Sequence, residues 1–401
     1  MKASSDYQTR IEAESKKWGS HLKIEADADV LGDNWLGHPA ISEHYYQRGL
    51  LDWGVAWPGW IREHLSGPAE RSLDLGCGTA DRSLEVFKAG ATRYIEGIDI
   101  SPERLAEAST RLSEKGIPGS FRQEDVNSVQ LPANTYDLIF AYHSFHHFVE
   151  LEKIMEQVHQ ALTPNGLFVL EEFIGPTQFQ WTDLQIELVR AILRFLPEDL
   201  RMYRMGWAKK FEGRPKPEEV MAASPFESIR SADILPLFKR YFHIVRVRQL
   251  GGTLQHLLYN GIIHNFIRNR DSAAPYVEAV YKLEDTLMDF CLIPSDFMLL
   301  IGKRKDVPQY EPARFVPETK DETISYLGTE LASRSAAIIH LEPELASRAE
   351  RLELLEASLA KKQGELDKIT KSLGWRLLSR YGKVKYSYLL PLLRKFGIGH
   401  Q

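Results

Sequence analysis

The stretch "RSLDLGCGTADRS", residues 71–83, joins a short apolar run to a glycine-containing turn and a helix start. Bare amides at a helix N-terminus suit anions, so a phosphate is the first ligand to consider. The dinucleotide fingerprint asks for three glycines spaced G-x-G-x-x-G. Gly76 and Gly78 fit this spacing, but Asp81 holds the third position and Asp74 would repel a pyrophosphate. The turn therefore indicates a ligand with a positively charged end.

S-adenosylmethionine (SAM), which carries an ammonium and a sulfonium, is such a ligand; the alternative is an ordinary strand-to-helix turn. The next segment, "TRYIEGIDIS" (92–101), favours the ligand because it is typical of a second strand ending at Asp99. Ser101 and Pro102 then predict an N-cap and a first helical residue. A carboxylate at this strand tip is placed to accept both hydroxyls of a ribose.

Three further strands follow at regular intervals. The third ends near Asp125, the fourth is "YDLIFAY" (136–142), and the fifth is "GLFVLEEF" (166–173), after the predicted turn "LTPNG". Strands that alternate with helical segments imply crossovers and a parallel α/β sheet, with its ligand outside the carboxyl ends of the strands. Gly76, Asp99, Asp125 and His143 all fall at those ends.

Residues 35–305 resemble a class I SAM-dependent methyltransferase of bacterial biosynthetic clusters. The features that carry this resemblance are the motif "DLGCGT" (74–79), Asp99, Asp125 and "LTPNG" (162–166). The resemblance implies a Rossmann-like sheet, to which the sequence adds helical insertions and a C-terminal helical coiled coil. It also implies SAM as cofactor. The residues that it places around SAM are Asp74, Gly76, Cys77, Gly78, Asp99, Ile100, Asp125, Val126 and His143.

The resemblance also implies individual roles. The turn lines the methionine part of SAM, Asp99 holds the ribose, and Asp125 and Val126 flank the adenine, with Asp125 reaching its amino group. Ala80 departs from the family pattern, because many members have a third glycine there. Alanine is small, so cofactor binding is expected to survive. Cys77 is expected to be a small structural residue and not a nucleophile.

Composition limits the classes of protein further. The chain has 401 residues, a formal net charge of −5 and two cysteines. This charge leaves no general footprint for nucleic acid, and two cysteines argue against a disulfide framework or a zinc site. No motif supplies a divalent-metal site, so no metal is expected. Residues 1–30 lack the apolar core of a signal peptide, and no stretch is long enough to span a membrane. A cytoplasmic protein is expected.

The chain divides into five predicted parts. Residues 1–34 form a polar arm, and residues 35–304 form the methyltransferase domain, with helical insertions at about 174–225 and 252–292. The aromatic run at 35–65 either covers the cofactor and the substrate mouth or packs against the sheet. Residues 305–323 are rich in proline and charge, which is typical of a linker.

A seven-residue repeat then predicts a coiled coil over residues 324–372. Pro343 interrupts it, so the continuous coil is expected from residue 344 onward. A helix that folds back on the catalytic domain is the alternative. The repeat positions are Ile324, Leu331, Ile338, Leu345, Leu352, Leu359, Leu366 and Leu373.

The tail, residues 373–401, interleaves cations with leucines and aromatic residues and has no acid. Such a segment suits the surface of an anionic membrane, which would place the protein peripherally on the inner face. Its "SLGWRL" (372–377) resembles the ending of many bacterial glycosyltransferases and surface-polysaccharide methyltransferases. An RNA-binding tail is the less favoured alternative. The coil predicts a homo-oligomer or a glycosyltransferase partner.

The methyl of SAM already has a good leaving group, so the enzyme must chiefly align donor and acceptor, which can supply several kcal/mol by positioning alone. A sugar hydroxyl also needs a general base at hydrogen-bonding distance. The candidates are His147, then His146, and one glutamate of "LEEF". Alternation turns only one of Glu171 and Glu172 toward the pocket; we name Glu171, although the residues do not distinguish the two.

The sequence hypothesis is a SAM-dependent O-methyltransferase that acts on a glycan or lipid-linked sugar in bacterial surface-polysaccharide biosynthesis. One alternative is a small-molecule methyltransferase of secondary metabolism. Another is a non-catalytic module that recruits a glycosyltransferase through its coil. The intact Asp74, Gly76, Gly78 and Asp99 argue against this last alternative.

Overall fold

A computed structural model describes residues 5–25, 34–210 and 213–305. Its centre is a seven-stranded sheet in the order β3-β2-β1-β4-β5-β7-β6. The first five strands in that order are parallel, and β7 runs antiparallel between β5 and β6. The predicted Rossmann-like class I methyltransferase fold is confirmed. The strands are β1 Ser72–Leu75, β2 Ile95–Asp99, β3 Gly119–Gln123, β4 Tyr136–Tyr142, β5 Leu162–Phe173, β6 Phe242–Gly251 and β7 Phe297–Arg304.

Twelve α-helices lie among the described residues. The capping prediction holds at Ser101, whose hydroxyl accepts from the Arg104 amide at the start of α5. Thr182 forms a capping box with Gln185 at the start of α7. The helices are α1 Ser5–Glu25, α2 Pro39–Arg48, α3 Trp57–His64, α4 Asp81–Lys88, α5 Pro102–Glu114, α6 Leu151–Ala161, α7 Asp183–Phe195, α8 Pro217–Ala223, α9 Ser231–Tyr241, α10 Gln255–Tyr259, α11 Ile263–Arg268 and α12 Arg270–Asp289.

One sequence prediction differs in detail. "LTPNG" (162–166) is not a turn before β5 but the first part of the strand. Leu162 pairs with Tyr136 and Leu167 with Leu138, so β5 uses three more residues than β4 over this interval. Pro164 lacks a backbone N–H and so cannot donate to a ladder here, which suits such an irregularity.

The sheet separates two apolar layers, and strand alternation assigns side chains to them. Leu138 and Phe140 of β4 pack in the layer that contains α3 and α7, whereas Ile139 and Ala141 pack in the layer that contains α6 and α9. The same alternation on β5 sends Val169 to the first layer and Leu170 to the second. Consecutive residues at the end of a strand therefore reach opposite faces.

Helices occupy both intervals predicted as insertions: α7 and α8 lie between β5 and α9, and α10–α12 lie between β6 and β7. No helix in the part of the chain that the structure describes has the length and apolarity needed to cross a membrane. The predicted coil and tail lie outside the described residues, as does the linker apart from residue 305.

Candidate active site

A cavity of about 540 Å³ lies at the carboxyl ends of the parallel strands, within the range of roughly 300–1,000 Å³ typical of ligand sites. The structure brings all the residues predicted to bind the cofactor, and two of the three predicted catalytic residues, to its wall. They are Asp74, Gly76, Cys77, Gly78, Asp99, Ile100, Asp125, Val126, His143, His146 and His147.

The glycine turn adopts left-handed backbone conformations. Gly76 has φ +71° and Gly78 has φ +52°, a region that favours glycine. A Cβ on Gly76 would lie 2.6 Å from the Cβ of Ser144, so no side chain fits there. Burial raises the pKa of the Cys77 thiol well above its usual value. Cys77 is therefore a protonated thiol and not a ready nucleophile.

Ala80 also has a left-handed conformation, with φ +61° and ψ +27°, and is fully buried at the start of α4. This is the position at which the sequence departs from the family pattern. The alanine adopts the backbone that a glycine would adopt, so the loop keeps its path at a cost in conformational energy.

Asp99 is fixed in place at the tip of β2. Its Oδ2 accepts from the Gly78 amide at 2.9 Å, and its Oδ1 accepts from the Ser101 amide at 2.8 Å. Each oxygen keeps a second lone pair for another donor. Burial raises the pKa of this carboxyl despite the two amides. The carboxylate thus fits the predicted ribose partner.

Asp74 is a second buried carboxylate, with an exposed fraction of 2%. Burial raises its pKa to about 7, against the opposing hydrogen bond that Ser83 donates to Oδ2 at 2.6 Å. A buried carboxylate with one strong donor and a second carboxylate nearby favours a cationic ligand. The residues of this end of the cavity fit SAM, whose ammonium would compensate this charge.

Asp125, the predicted adenine partner, is bonded from two sides. Its Oδ1 accepts from the backbone amide and side-chain amide of Asn127, both at 2.9 Å, and its Oδ2 accepts from the Tyr7 hydroxyl at 2.8 Å. Tyr7 belongs to α1, which the sequence assigned to a polar arm outside the domain. Ile11, Glu14 and Trp18 of α1 also line the cavity, so this helix is part of the site.

His143 lies in the cavity wall with φ +49°. Its Nε2 is 3.1 Å from the Tyr45 hydroxyl, and burial lowers its pKa to about 4. The ring is neutral at neutral pH and stacks on Tyr142. Tyr45 thereby joins one part of the aromatic run 35–65 to the site, and Trp35 lines the cavity directly. Trp57 and Trp60 pack in the same apolar core as Trp35 and Tyr45, which is the packing role predicted for that run.

The prediction for Glu171 is wrong. Glu171 is not part of the cavity wall; its carboxylate lies 3.2 Å from Arg82 Nη2 and accepts from Trp57 Nε1 at 3.2 Å. Strand alternation turns Glu171 to the face of the sheet that carries α3. The sequence left open which of Glu171 and Glu172 faces the histidines. The structure shows that it is Glu172, on the other face of the sheet.

Glu172 is fully buried, and its Oε1 lies 2.5 Å from His146 Nδ1. On the other side of the ring, His146 Nε2 is 3.5 Å from Glu227 Oε1. Burial alone would lower the pKa of His146. The charges of Glu172 and Glu227, and their hydrogen bonds with the ring, outweigh burial and raise this pKa to about 10. His146 is an imidazole held between two carboxylates.

His147 has a similar pair of neighbours. Its Nδ1 lies 3.1 Å from Glu14 Oε1, without the alignment of a full hydrogen bond, and its Nε2 lies 4.0 Å from Glu227 Oε2. The two rings are 4.2 Å apart between centroids. We call these five residues the histidine–carboxylate cluster: Glu14, His146, His147, Glu172 and Glu227.

Sequence reasoning missed Glu14 and Glu227. Each comes from a segment remote from the strand tips: Glu14 from α1, and Glu227 from the loop between α8 and α9. Their hydrogen-bond and ion-pair partners are more than 80 residues away along the chain in several cases. No local motif announces either residue, because only the closure of these segments over the sheet brings them to the histidines.

Aromatic side chains form the rest of the cavity beside the cluster. Ring centroids of Trp35 and Phe297 are 5.4 Å apart, those of Phe297 and Phe173 are 5.2 Å apart, and those of Phe173 and Phe179 are 5.4 Å apart. A second cavity of about 700 Å³ shares Phe179 and Glu227 with the first. The aromatic wall therefore borders both cavities through Phe179.

The match to a known family agrees with this geometry. Residues 73–170 match the family model described as a methyltransferase domain. Together with the sheet and the strand-tip residues, this match defines the class: the chain carries a SAM-dependent methyltransferase domain with SAM as its cofactor.

Its relatives are methyltransferases by name. A sterol 24-C-methyltransferase of Gibberella zeae is 25% identical over 31% of this chain and 33% of its own length. A demethylmenaquinone methyltransferase of Geobacillus kaustophilus is 25% identical over 40% of this chain and 72% of its own. A crystal structure of a SAM-dependent methyltransferase from Mesorhizobium loti has 21% identity and a TM-score of 0.36, and the match covers 62% of this chain and 97% of that one. Several curated relatives are matched over only about a third to a half of their length.

Proposed function

We propose that this protein transfers the methyl group of SAM to a hydroxyl oxygen of a ring-shaped acceptor. The observation that supports this is one cavity whose wall contains both the predicted cofactor residues and four of the five residues of the histidine–carboxylate cluster. SAM, when bound, supplies the activated methyl group. A hydroxyl holds its proton tightly, so methyl transfer to its oxygen needs a group that accepts or displaces that proton.

The chain's own residues orient the partners. Asp99, fixed by two backbone amides, is positioned to hold a ribose, and Asp74 to neutralise a cationic group at the turn. His147 presents an imidazole edge to the cavity between Glu14 and Glu227. In our proposal, its imidazole accepts the proton of the acceptor hydroxyl as general base, the role that the sequence hypothesis assigned to it. Positioning of this kind contributes most of the rate acceleration in a transfer between aligned groups.

The acceptor that the sequence hypothesis favours is the sugar of a glycan or lipid-linked sugar. A ring of this kind can lie against the wall of Phe173, Phe179 and Phe297, and the second cavity offers room for a larger remainder of the molecule. The predicted tail supports this acceptor, because its sequence resembles the ending of surface-polysaccharide methyltransferases.

A second acceptor class is an apolar aromatic ring with a hydroxyl, such as a quinol. The specific observation in its favour is the same aromatic wall, because flat apolar rings pack well against Trp and Phe side chains. Two of the relatives are named demethylmenaquinone methyltransferase and ubiquinone biosynthesis O-methyltransferase. Both acceptor classes share the chemistry of O-methylation.

The test is mass spectrometry of acceptors incubated with the full-length protein and methyl-deuterated SAM. One panel contains lipid-linked and free oligosaccharides, and the other contains quinols and simple phenols. We expect the mass of one labelled methyl group on an oxygen of members of one panel. His147→Gln should lower this rate at least tenfold while SAM binding by calorimetry stays within twofold. Methylation of carbon or nitrogen instead of oxygen would overturn the proposal.

A further inference from the structure

The histidine–carboxylate cluster has a geometry that proton transfer alone does not require. The Nε2 atoms of His146 and His147 both face the carboxylate of Glu227, at 3.5 and 4.0 Å. One ligand atom from each of the three residues lies within 4.8 Å of the other two. Two imidazole nitrogens and a carboxylate oxygen thus converge on one point beside the cavity.

This spacing is close to that of a metal centre. Histidine nitrogens and carboxylate oxygens bind zinc at about 2.0–2.2 Å, so neighbouring ligand atoms in a tetrahedral site lie roughly 3.4 Å apart. The observed separations, from His146 Nε2 to Glu227 Oε1 and from His147 Nε2 to Glu227 Oε2, exceed this value by about 0.1 and 0.6 Å. Small side-chain rotations would close the difference, because Glu227 is partly exposed and stands on a loop.

The outer partners of the histidines point to the same conclusion. A metal-bound histidine almost always places its other ring nitrogen against a carboxylate or carbonyl group, which fixes its tautomer. His146 has Glu172 at its Nδ1, and His147 has Glu14 at its Nδ1. Each imidazole therefore has one carboxylate behind it, and both share the third carboxylate in front.

The carboxylates behind the rings are themselves fixed. Glu172 Oε2 accepts from the amides of Ser144 and Phe145, at 3.0 and 2.6 Å, and its Oε1 accepts from the Phe173 amide at 2.6 Å. Glu14 accepts from Trp18 Nε1 at 2.7 Å. Both carboxylates are buried, so the rings in front of them have little freedom to turn away.

The charge of the cluster also favours a cation. Three carboxylates meet two imidazoles, with Lys17 Nζ 3.8 Å from Glu227 Oε2. If both imidazoles are neutral, the three carboxylates together with the Lys17 ammonium have a net charge of −2. Buried charge of this kind needs compensation, either by protons on the rings or by a divalent cation at their Nε2 atoms.

We propose that His146, His147 and Glu227 bind one divalent transition-metal ion of the zinc type. Imidazole and carboxylate ligands suit such ions, and three protein ligands leave a coordination position open toward the cavity. In that position the ion would take the acceptor oxygen and, as a Lewis acid, acidify its hydroxyl so that the proton is released to water. With His147 Nε2 on the metal, this would replace direct proton acceptance by His147. This role deepens the proposed function and rests on it, whereas metal binding itself does not.

The experiment is a titration of the full-length protein, stripped with a chelator and dialysed, with Zn²⁺ alone in competition with a chromophoric chelator. We expect one equivalent bound in the wild type, and at least tenfold weaker binding by Glu227→Gln and by His147→Gln. His243→Gln is the matched control, because it removes an exposed histidine from β6 and should leave the tight site unchanged. Co²⁺ should give visible absorption bands in the wild type that Glu227→Gln loses.

Calorimetry with SAM and thermal unfolding of each variant show whether it has folded. No zinc binding by the wild type, or binding that Glu227→Gln leaves unchanged in a folded protein, would overturn the metal site. Tight zinc binding without methylation of any acceptor would instead support the metal site and overturn the proposed O-methyl transfer. The two failures are therefore distinguishable.

Discussion

At the residue scale, the buried charge of Asp74 favours binding of a cationic cofactor but lowers the stability of the ligand-free fold. Its pKa rises from 3.8 in an unfolded chain to about 7 in the fold, chiefly because of burial. Between these values the folded protein holds a proton that the unfolded chain has released, so stability falls as pH rises from about 4 to about 7. Above pH 7 the full cost of a buried charge is present, and it is this charge that a cationic ligand compensates.

We therefore expect Asp74→Asn to raise the melting temperature of the ligand-free protein at pH 8 and to have little effect near pH 4. A gain on the order of 2 kcal/mol at pH 8 corresponds to a rise of several degrees. The same variant should bind SAM at least tenfold more weakly. Differential scanning fluorimetry at several pH values and calorimetry check the two effects. A melting temperature that shifts equally at pH 4 and pH 8 would contradict the titration of Asp74 in this range.

Ala80 allows a second prediction at this scale. Its left-handed backbone strains an alanine by roughly 1–2 kcal/mol relative to glycine. Ala80→Gly should therefore increase the free energy of unfolding by about 1 kcal/mol, as measured by urea denaturation, and leave SAM affinity within twofold. Ala89→Gly at the end of the same helix, where φ is −71°, is the control and should not stabilise. Equal effects at the two positions would rule out strain at Ala80.

At the scale of the element, α1 is a helix attached to the domain largely through polar contacts. Tyr7 donates to Asp125, the Ser15 hydroxyl donates to the Ile100 carbonyl, and Arg104 Nε donates to the Trp18 carbonyl. The helix is mostly polar in sequence. Few apolar contacts mean that its local opening costs less than global unfolding. A ligand held beneath it would raise that cost.

We expect SAM at saturating concentration to slow amide hydrogen exchange in residues 5–25 at least tenfold. The reason is that α1 supplies Ile11, Glu14 and Trp18 to the wall of the cavity. Mass spectrometry of peptic peptides measures this protection. Helix α6, which packs in the core behind the sheet, is the internal control and should change little. Unchanged exchange of α1 under conditions where calorimetry shows SAM bound would contradict a closing role.

At the scale of the whole molecule, the described residues contain all the site groups named above. The cofactor residues lie between residues 74 and 143, and the cluster adds one residue from α1 and one from the loop at 227. The predicted coil over 324–372 lies outside the described residues and stays a prediction. Catalysis and assembly are thus assigned to separate parts of the sequence.

Truncation after Lys320 should lower the particle mass in light scattering at least twofold, because it removes the predicted seam. SAM affinity should stay within twofold, since the site lies upstream. The matched control is the full-length double variant Leu352→Lys and Leu359→Lys, which charges two seam positions and should give the same small species. A particle mass that neither change reduces would contradict assembly through the coil.

The sequence by itself determined the cofactor end of the site. Asp74, Gly76, Gly78 and Asp99 follow from short-range rules: a glycine turn directly after one strand, and a carboxylate at the tip of the next. In a parallel sheet the carboxyl ends of neighbouring strands meet at one edge, so local spacing predicts which residues come together. The same locality explains why the cap at Ser101 was predictable.

Only the tertiary structure decided which residues make up the histidine–carboxylate cluster. Glu172 and not Glu171 reaches His146 because of the orientation of β5 in the sheet, which an isolated alternating pattern leaves open. Glu14 and Glu227 join the histidines because two distant segments close over the sheet. Contacts between remote segments depend on the packing of the whole domain, and no local spacing in the chain encodes them.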